Sequence, residues 1–365
     1  MKTQIKVPLF DLNYDEHEEK EILNTIRSKW ISIGPQNEKF ENLFAEMLGV
    51  KHAVAISSCT GALHIALSTI GINSGDEIIC PSLTFVATAN SIKFVNANPI
   101  FCDITSIENP TINPEKIKEL ITPKTKAILV MHYGGFPCSM DEIIDICKKN
   151  NLKLIEDACH APLSKYKGRT IGTESDIACY SFFSNKNIST GEGGMITTND
   201  DALAEKLGIL RNHGASISEE QRHHGPRPYI LPDFDVCGYN YRMTDLQGAV
   251  GVVQLAKLDQ FINEREEWVQ YYRKELAVIE WLSFPEFSTD FKHGWQSFVT
   301  LVDESKAPYP RNEIMEKLQE MAQSEGFQEK VKRLSSDPAF AEAAGKYADE
   351  MNSDIMSDVA GAGED

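Results

Sequence analysis

Four stretches of the chain carry side chains that could do chemistry, and each follows a β-rich run. After HAVAIS comes SCTGALHIAL, where Thr60 and Gly61 open a helix. Free N–H groups and the helix dipole make an anion site at such a terminus. The dipole alone contributes about 0.3–1 kcal/mol there. After DEIICPS, the run LTFVATAN sets Phe85 just past a strand end, where its ring can stack on a planar ligand. LKLIEDACH places Asp157 at the end of an apolar strand, with His160 three residues on. A carboxylate there is costly to bury unless a cation or strong donors meet it, and a protonated heteroaromatic nitrogen is one such partner. CYSFFSNKNISTGEGG ends a strand at Ser181 and sets Lys186 before a glycine-rich turn, a candidate Schiff-base former.

Taken singly, these residues have plainer readings: an N-cap, a core phenylalanine, a satisfied histidine, a solvated lysine. Together they supply an anion cradle, a stacking ring, a carboxylate for a ring nitrogen, a hydroxyl and an amine. All fall at strand ends of one sheet. These are the parts that pyridoxal phosphate requires.

The elements that must position them alternate. Strand-like runs at 52–57, 76–82, 98–104, 126–132, 152–158, 177–183 and 193–198 are interleaved with helical stretches such as TGALHIALSTIG and SMDEIIDICKKN. That alternation predicts an α/β fold with a mostly parallel sheet, with ligands at the carboxyl ends of its strands. Residues 215–232 read as a long polar loop, and 244–276 as a helical stretch packed on the sheet. A strand over Trp295–Val302 and a helix ending near Gln323 follow. Residues 335–365, with eight acidic residues against Lys346 alone, read as a weak helix and an acidic tail.

The 365 residues carry 36 Lys+Arg against 54 Asp+Glu, a net charge of −18. That balance argues against nucleic-acid and anionic-membrane partners, which demand surplus cations. No apolar run is long enough for a membrane span, and the first twenty residues lack the apolar core of a signal peptide. Eight cysteines without a CxxC pair read as reduced cytoplasmic thiols, not as a disulfide or metal framework.

Eight stretches in order, SKWISIGPQNEKFE, AVAISSCTGALHIAL, CPSLTFVATAN, VMHYGGFPCSMDEI, LIEDACHA, YSFFSNKNISTGEGG, LRNHG and GYNYRMTDLQGAVG, run from Ser28 to Gly251. In these the chain resembles the DegT/DnrJ/EryC1/StrS family of sugar aminotransferases. The resemblance implies a fold-type-I transferase that uses pyridoxal 5'-phosphate and shares its active site across a homodimer. By motif, Lys186 would hold the cofactor aldehyde and move the proton, and Asp157 would pair with the ring nitrogen. Phe85 would cover the ring, Thr60, Gly61 and Ser181 would hold the phosphate, and His160 would stand beside the cofactor. Asn240, with Arg242 as companion, would reach the neighbouring subunit's phosphate. Relatives with histidine in place of this lysine act as dehydratases, so Lys186 implies transamination.

The implied reaction moves an amino group from an amino-acid donor, L-glutamate, to a nucleotide-linked keto-sugar, for an amino sugar or a surface polysaccharide. Two rivals stand beside it: a cyclic non-sugar keto acceptor, and a pyridoxal-phosphate-binding regulator with little turnover. The implied organisation is a large cofactor-binding domain over 1–250, a small domain over 251–334, and the atypical tail 335–365. Relatives continue into a β-rich stretch with an HFxPLH-type motif, whereas here no histidine follows His293, so the small domain is expected to be incomplete.

Overall fold

The structure, a computed structural model, describes residues 12–217, 229, 231–285 and 288–324. Among these, everything up to Leu301 lies in one compact unit and residues from Val302 in another. The first unit is built on seven strands: β1 (His52–Ile56), β2 (Glu77–Pro81), β3 (Asn98–Cys102), β4 (Thr125–Met131), β5 (Lys153–Asp157), β6 (Ile177–Ser181) and β7 (Gly194–Thr198). They lie in the order β1-β7-β6-β5-β4-β2-β3. Only β7 runs against its neighbours, β1 and β6; the pairs from β6 to β3 are parallel. The expected α/β fold with a mostly parallel sheet is the observed one.

The central strands β4, β5 and β6 bury most of their side chains because both faces are covered. On β4, Ile128 and Val130 join one buried cluster with Phe40, Phe44 and Tyr180, while Ala127 and Leu129 join a second with Leu63, Ile65 and Leu67. The covering helices are α1 (Glu16–Ser28), α2 (Pro35–Leu48), α3 (Cys59–Thr69), α4 (Val86–Phe94), α5 (Pro114–Leu120), α6 (Met140–Asn150), α7 (Asp201–Arg211), α8 (Asp245–Ala256) and α9 (Leu258–Leu276). The second unit contributes α10 (Arg311–Gln323).

Two motif stretches far apart in sequence meet at one carboxylate. The N-cap of α2 is Gly34, which has no side chain to offer. Instead Asp245, 2% exposed, accepts from the Gln36 and Asn37 amides at 3.1 and 3.0 Å and from Asn37 Nδ2 at 2.9 Å. It supplies the cap that the local sequence lacks. Helix α8 then lies directly on α2. A Cβ on Gly251 would stand 2.7 Å from the Phe40 ring, so only glycine allows this approach.

Two expectations change. The helical stretch 244–276 is two helices: the Lys257 amide closes α8 on the Gln254 carbonyl at 3.1 Å, and α9 starts afresh at Leu258. The strand expected over Trp295–Val302 is confined to Leu301–Val302. The preceding backbone finds other partners. Ser297 N–H donates to the Gly134 carbonyl at 3.3 Å, and Arg265 Nη1 donates to the carbonyls of Trp295 and Gln296 at 2.8 and 3.2 Å. The break between compact units falls at Leu301/Val302, and α8 crosses positions 250–251 unbroken. Most of the loop 215–232 and all of the tail 335–365 lie outside the described residues. No helix among the described residues is long and apolar enough to cross a membrane. All eight cysteines are free thiols.

Asp245→Ala removes an acceptor shared by three N–H groups, and hydrogen bonds to charged groups contribute roughly 1.5–3 kcal/mol each. We expect a loss of stability on the order of 3 kcal/mol, with partial recovery in Asp245→Asn. Urea unfolding followed by circular dichroism measures it; an unchanged midpoint in the alanine variant would remove the capping role.

Candidate active site

A cavity of about 580 Å³ opens beside the carboxyl ends of β5 and β6, where ligands bind in open parallel sheets. Six of the residues singled out in the sequence line it: Thr60, Phe85, Asp157, His160, Ser181 and Lys186. They come from four separate segments, gathered because parallel pairing brings the strand ends into register. Met131 pairs with Asp157, and Asp157 with Cys179.

Asp157 ends β5 and is 2% exposed. Its Oδ2 accepts from the Thr88 hydroxyl at 2.9 Å and its Oδ1 from the Cys159 amide at 3.3 Å. Among the described residues it forms no salt bridge, so its charge is met by neutral donors alone. A cationic N–H would complete a buried carboxylate so placed.

Lys186 sits on a loop that is tied down on several sides. Its amide donates to the Phe183 carbonyl at 2.9 Å, and Thr190 N–H to the Phe182 carbonyl at 2.9 Å. Asn187 Nδ2 bonds the Gly294 carbonyl at 2.5 Å, the Tyr14 hydroxyl bonds the Ser189 carbonyl at 3.0 Å, and the Ser189 amide bonds Gln254 Oε1 at 3.3 Å. The lysine Nζ lies 3.8 Å from Cys159 Sγ, two residues beyond Asp157. Amine and carboxylate therefore share one cavity wall.

His160 accepts from the Gly134 amide through Nδ1 at 3.1 Å, which assigns its proton to Nε2. Burial, with Lys186 nearby, holds its pKa down to about 3, so it is a neutral donor. At the start of α3, Ser58 Oγ accepts from the Gly61 amide at 3.1 Å. The first-turn amides of Cys59 and Thr60 have no carbonyl within the helix and remain for an anion. Phe85, at the N-cap of α4, is 63% exposed, a bare ring at the cavity mouth. Ser181 ends β6 with its hydroxyl accepting a long 3.4 Å contact from Phe183 N–H.

Two sequence candidates stand outside this cavity. Gly61 has its amide capped and does not line it; a Cβ there would meet the Tyr241 ring at 3.3 Å, so the glycine serves packing. Asn240 is exposed and bridges only to Asn212, while Arg242 Nη1 donates to Asn212 Oδ1 at 2.7 Å. Sequence reading missed Thr84, Tyr133, Glu192, Gln296 and Ser297, which also line the cavity. Gln296 and Ser297 were hidden inside the run expected to be a strand. The residues present fit pyridoxal phosphate: a buried carboxylate lacking a cation, free helix amides, a bare ring and an amine around one space.

His160 and His293, both with pKa values pushed down to about 3 by burial, couple the fold to pH. Each is neutral when folded but protonates near 6.5 when unfolded. Their contribution is therefore present above pH 6.5 and is lost as pH falls from there towards 3. Between pH 6.5 and 5 we expect a loss on the order of 2 kcal/mol from each. His160→Asn should flatten the stability profile in that window, read by urea unfolding at several pH values; an unaltered profile would contradict the neutral assignment.

Comparison with known proteins agrees with this geometry. The chain is 42% identical over 264 residues to the GDP-perosamine synthase of Caulobacter vibrioides, covering 72% of this chain and 68% of that protein. It is 40% identical over 306 residues to the spore coat polysaccharide biosynthesis protein SpsC of Bacillus subtilis, covering 84% and 78%. A crystal structure of a GDP-4-keto-6-deoxymannose-3-dehydratase with a trapped PLP-glutamate geminal diamine superposes with a TM-score of 0.77 at 27% identity, covering 86% of this chain and 83% of that one. The model of the DegT/DnrJ/EryC1/StrS aminotransferase family matches residues 13–358. The chain belongs to that family, and it is an aminotransferase with pyridoxal phosphate as its cofactor.

Proposed function

We propose that this enzyme moves an amino group from L-glutamate to a nucleotide-linked keto-sugar in amino-sugar or surface-polysaccharide biosynthesis, acting in the cytoplasm as a homodimer. The observation that carries the proposed site is Asp157: a carboxylate buried without a cation, on the same cavity wall as Lys186. Names of relatives support the acceptor class, and the glutamate adduct in the dehydratase structure supports the donor. Eight free thiols suit a reducing compartment.

When bound, pyridoxal phosphate supplies an aldehyde that takes up the donor's nitrogen and a ring that withdraws electrons from the adjacent carbon. Asp157 holds the proton on the ring nitrogen. Thr60 and the neighbouring Cys59 amide, with the Ser181 hydroxyl, bind the phosphate. Phe85 covers one ring face and His160 offers its Nε2–H. The Lys186 amine would hold the cofactor's aldehyde and, as a neutral amine beside the reacting carbon, would carry the proton. Tyr133, Glu192, Gln296 and Ser297 give the remaining cavity the hydrogen-bonding walls that a hydroxylated sugar needs.

In Lys186→Ala the phosphate and ring contacts remain, so the cofactor should still bind, while turnover should fall by about 10²–10⁴-fold or more. Adding L-glutamate to the wild type should remove the visible absorption of the lysine-bound cofactor, and one member of a panel of nucleotide keto-sugars should restore it. Multiple turnovers by the alanine variant, or a wild-type spectrum indifferent to glutamate and to every keto-sugar, would refute this reading.

Asn240 stands exposed outside its own chain's cavity, as a residue serving a partner subunit would. Inactive Lys186→Ala and Asn240→Ala chains should then regain activity when mixed, because one site of the mixed dimer collects both lesions and the other neither. Absence of recovery, once subunit exchange is confirmed by mass-tagged chains, would remove the shared site.

A further inference from the structure

Thr88 is fully buried, one turn into α4, and its hydroxyl has a single hydrogen. The ionised Asp157 carboxylate can only accept, so that hydrogen points to Oδ2 at 2.9 Å. Thr88 Oγ1 must then accept from the Thr84 hydroxyl, 2.7 Å away. Thr84 Oγ1 also lies 2.9 Å from Met131 Sδ, but sulfur is a weak acceptor and the charged end of the chain orients both hydrogens. A directed relay, Thr84 to Thr88 to Asp157, thus runs along the cavity wall, with Thr88 buried behind it. The same segment carries Phe85, so one stretch of α4 sets both the ring cover and the carboxylate.

We propose that Thr88 is a positioning residue that holds the Asp157 carboxylate in place beneath the cofactor's ring nitrogen, so that the proton stays on that nitrogen. A carboxylate that accepts hydrogen bonds holds its own proton less tightly. Thr88 and the Cys159 amide occupy one oxygen each, fixing the plane of the group. Without the hydroxyl, nothing in α4 opposes transfer of the ring proton to Oδ2. The proposal rests on Asp157 as the ring-nitrogen partner.

The test loads wild type, Thr88→Val, Thr88→Ser and Asp157→Asn with pyridoxal phosphate labelled with ¹⁵N in the ring. It reads the ring-nitrogen chemical shift, the cofactor dissociation constant by equilibrium dialysis, and the rate of the glutamate half-reaction. Near-ultraviolet circular dichroism checks that each variant is folded. Wild type and Thr88→Ser should show a protonated ring nitrogen. Thr88→Val should move towards the unprotonated shift, with the half-reaction slowed about 10- to 100-fold, the scale of one hydrogen bond to a charged group. Asp157→Asn should be unprotonated. If Thr88→Val keeps the wild-type shift while Asp157→Asn loses it, or if Thr88→Ser fails as badly as Thr88→Val, Thr88 only fills space and the proposal falls. If Asp157→Asn also keeps the wild-type shift, the assignment of Asp157 itself falls, and this proposal with it.

Discussion

A carboxylate buried at the end of a parallel strand with no cation of its own is the constraint on which the cavity depends. Asp157 is 2% exposed, and moving such a charge out of water costs several kcal/mol unless strong donors and an opposite charge meet it. The Thr88 hydroxyl and the Cys159 amide meet part of that need. In the proposed site the remainder comes from the cavity side, where the cofactor's ring cation would meet the carboxylate. Placement at the end of β5 follows from register: β4 and β6 flank it, so its side chain emerges where three strand ends form one wall.

The amine on that wall is held by residues far from the chemistry. Glu18, 1% exposed, accepts from Lys257 Nζ at 2.7 Å and from Gln254 Nε2 at 2.7 Å; Gln254 in turn holds the Ser189 amide. Helix α1 therefore reaches the lysine loop through α8. Asp245 ties α2 to α8 in the same way. Stretches such as GPQNEKFE and TDLQGAVG thus act on the site by holding helices against each other. Their motif character is structural, and a reading of motifs alone assigns them no such role.

Strand ends were legible in the sequence because each candidate follows a short apolar run that local alternation reveals, and parallel topology then converges them without further information. Thus the gathering of Asp157, Lys186, Phe85 and Thr60 around one cavity was legible. What escaped was whatever depends on hydrogen-bond competition in space. Gly61 has the right place for an anion cradle, yet Ser58 takes its amide first. Trp295–Thr300 alternate like a strand, yet Arg265 and Gly134 claim their backbone groups. Thr84, just before α4, and Thr88, in its first turn, carry no signal in the sequence; their pairing becomes informative only once Asp157 is seen to form no salt bridge among the described residues.

The protein's own charge sharpens the question of how it holds an anion. A net charge of −18 opposes any phosphate at long range, but the Debye length near physiological salt is about 8 Å, so distant carboxylates are felt weakly inside the cavity. What acts there is local. His160 is kept neutral by burial and adds no positive charge, and Lys186 is assigned to the aldehyde rather than the phosphate. In the proposed site the task falls to first-turn amides of α3, which are fixed dipoles that need no counter-charge and do not titrate. An anion site built from backbone survives an acidic surface, and in the proposed site it would leave Lys186 free for proton transfer.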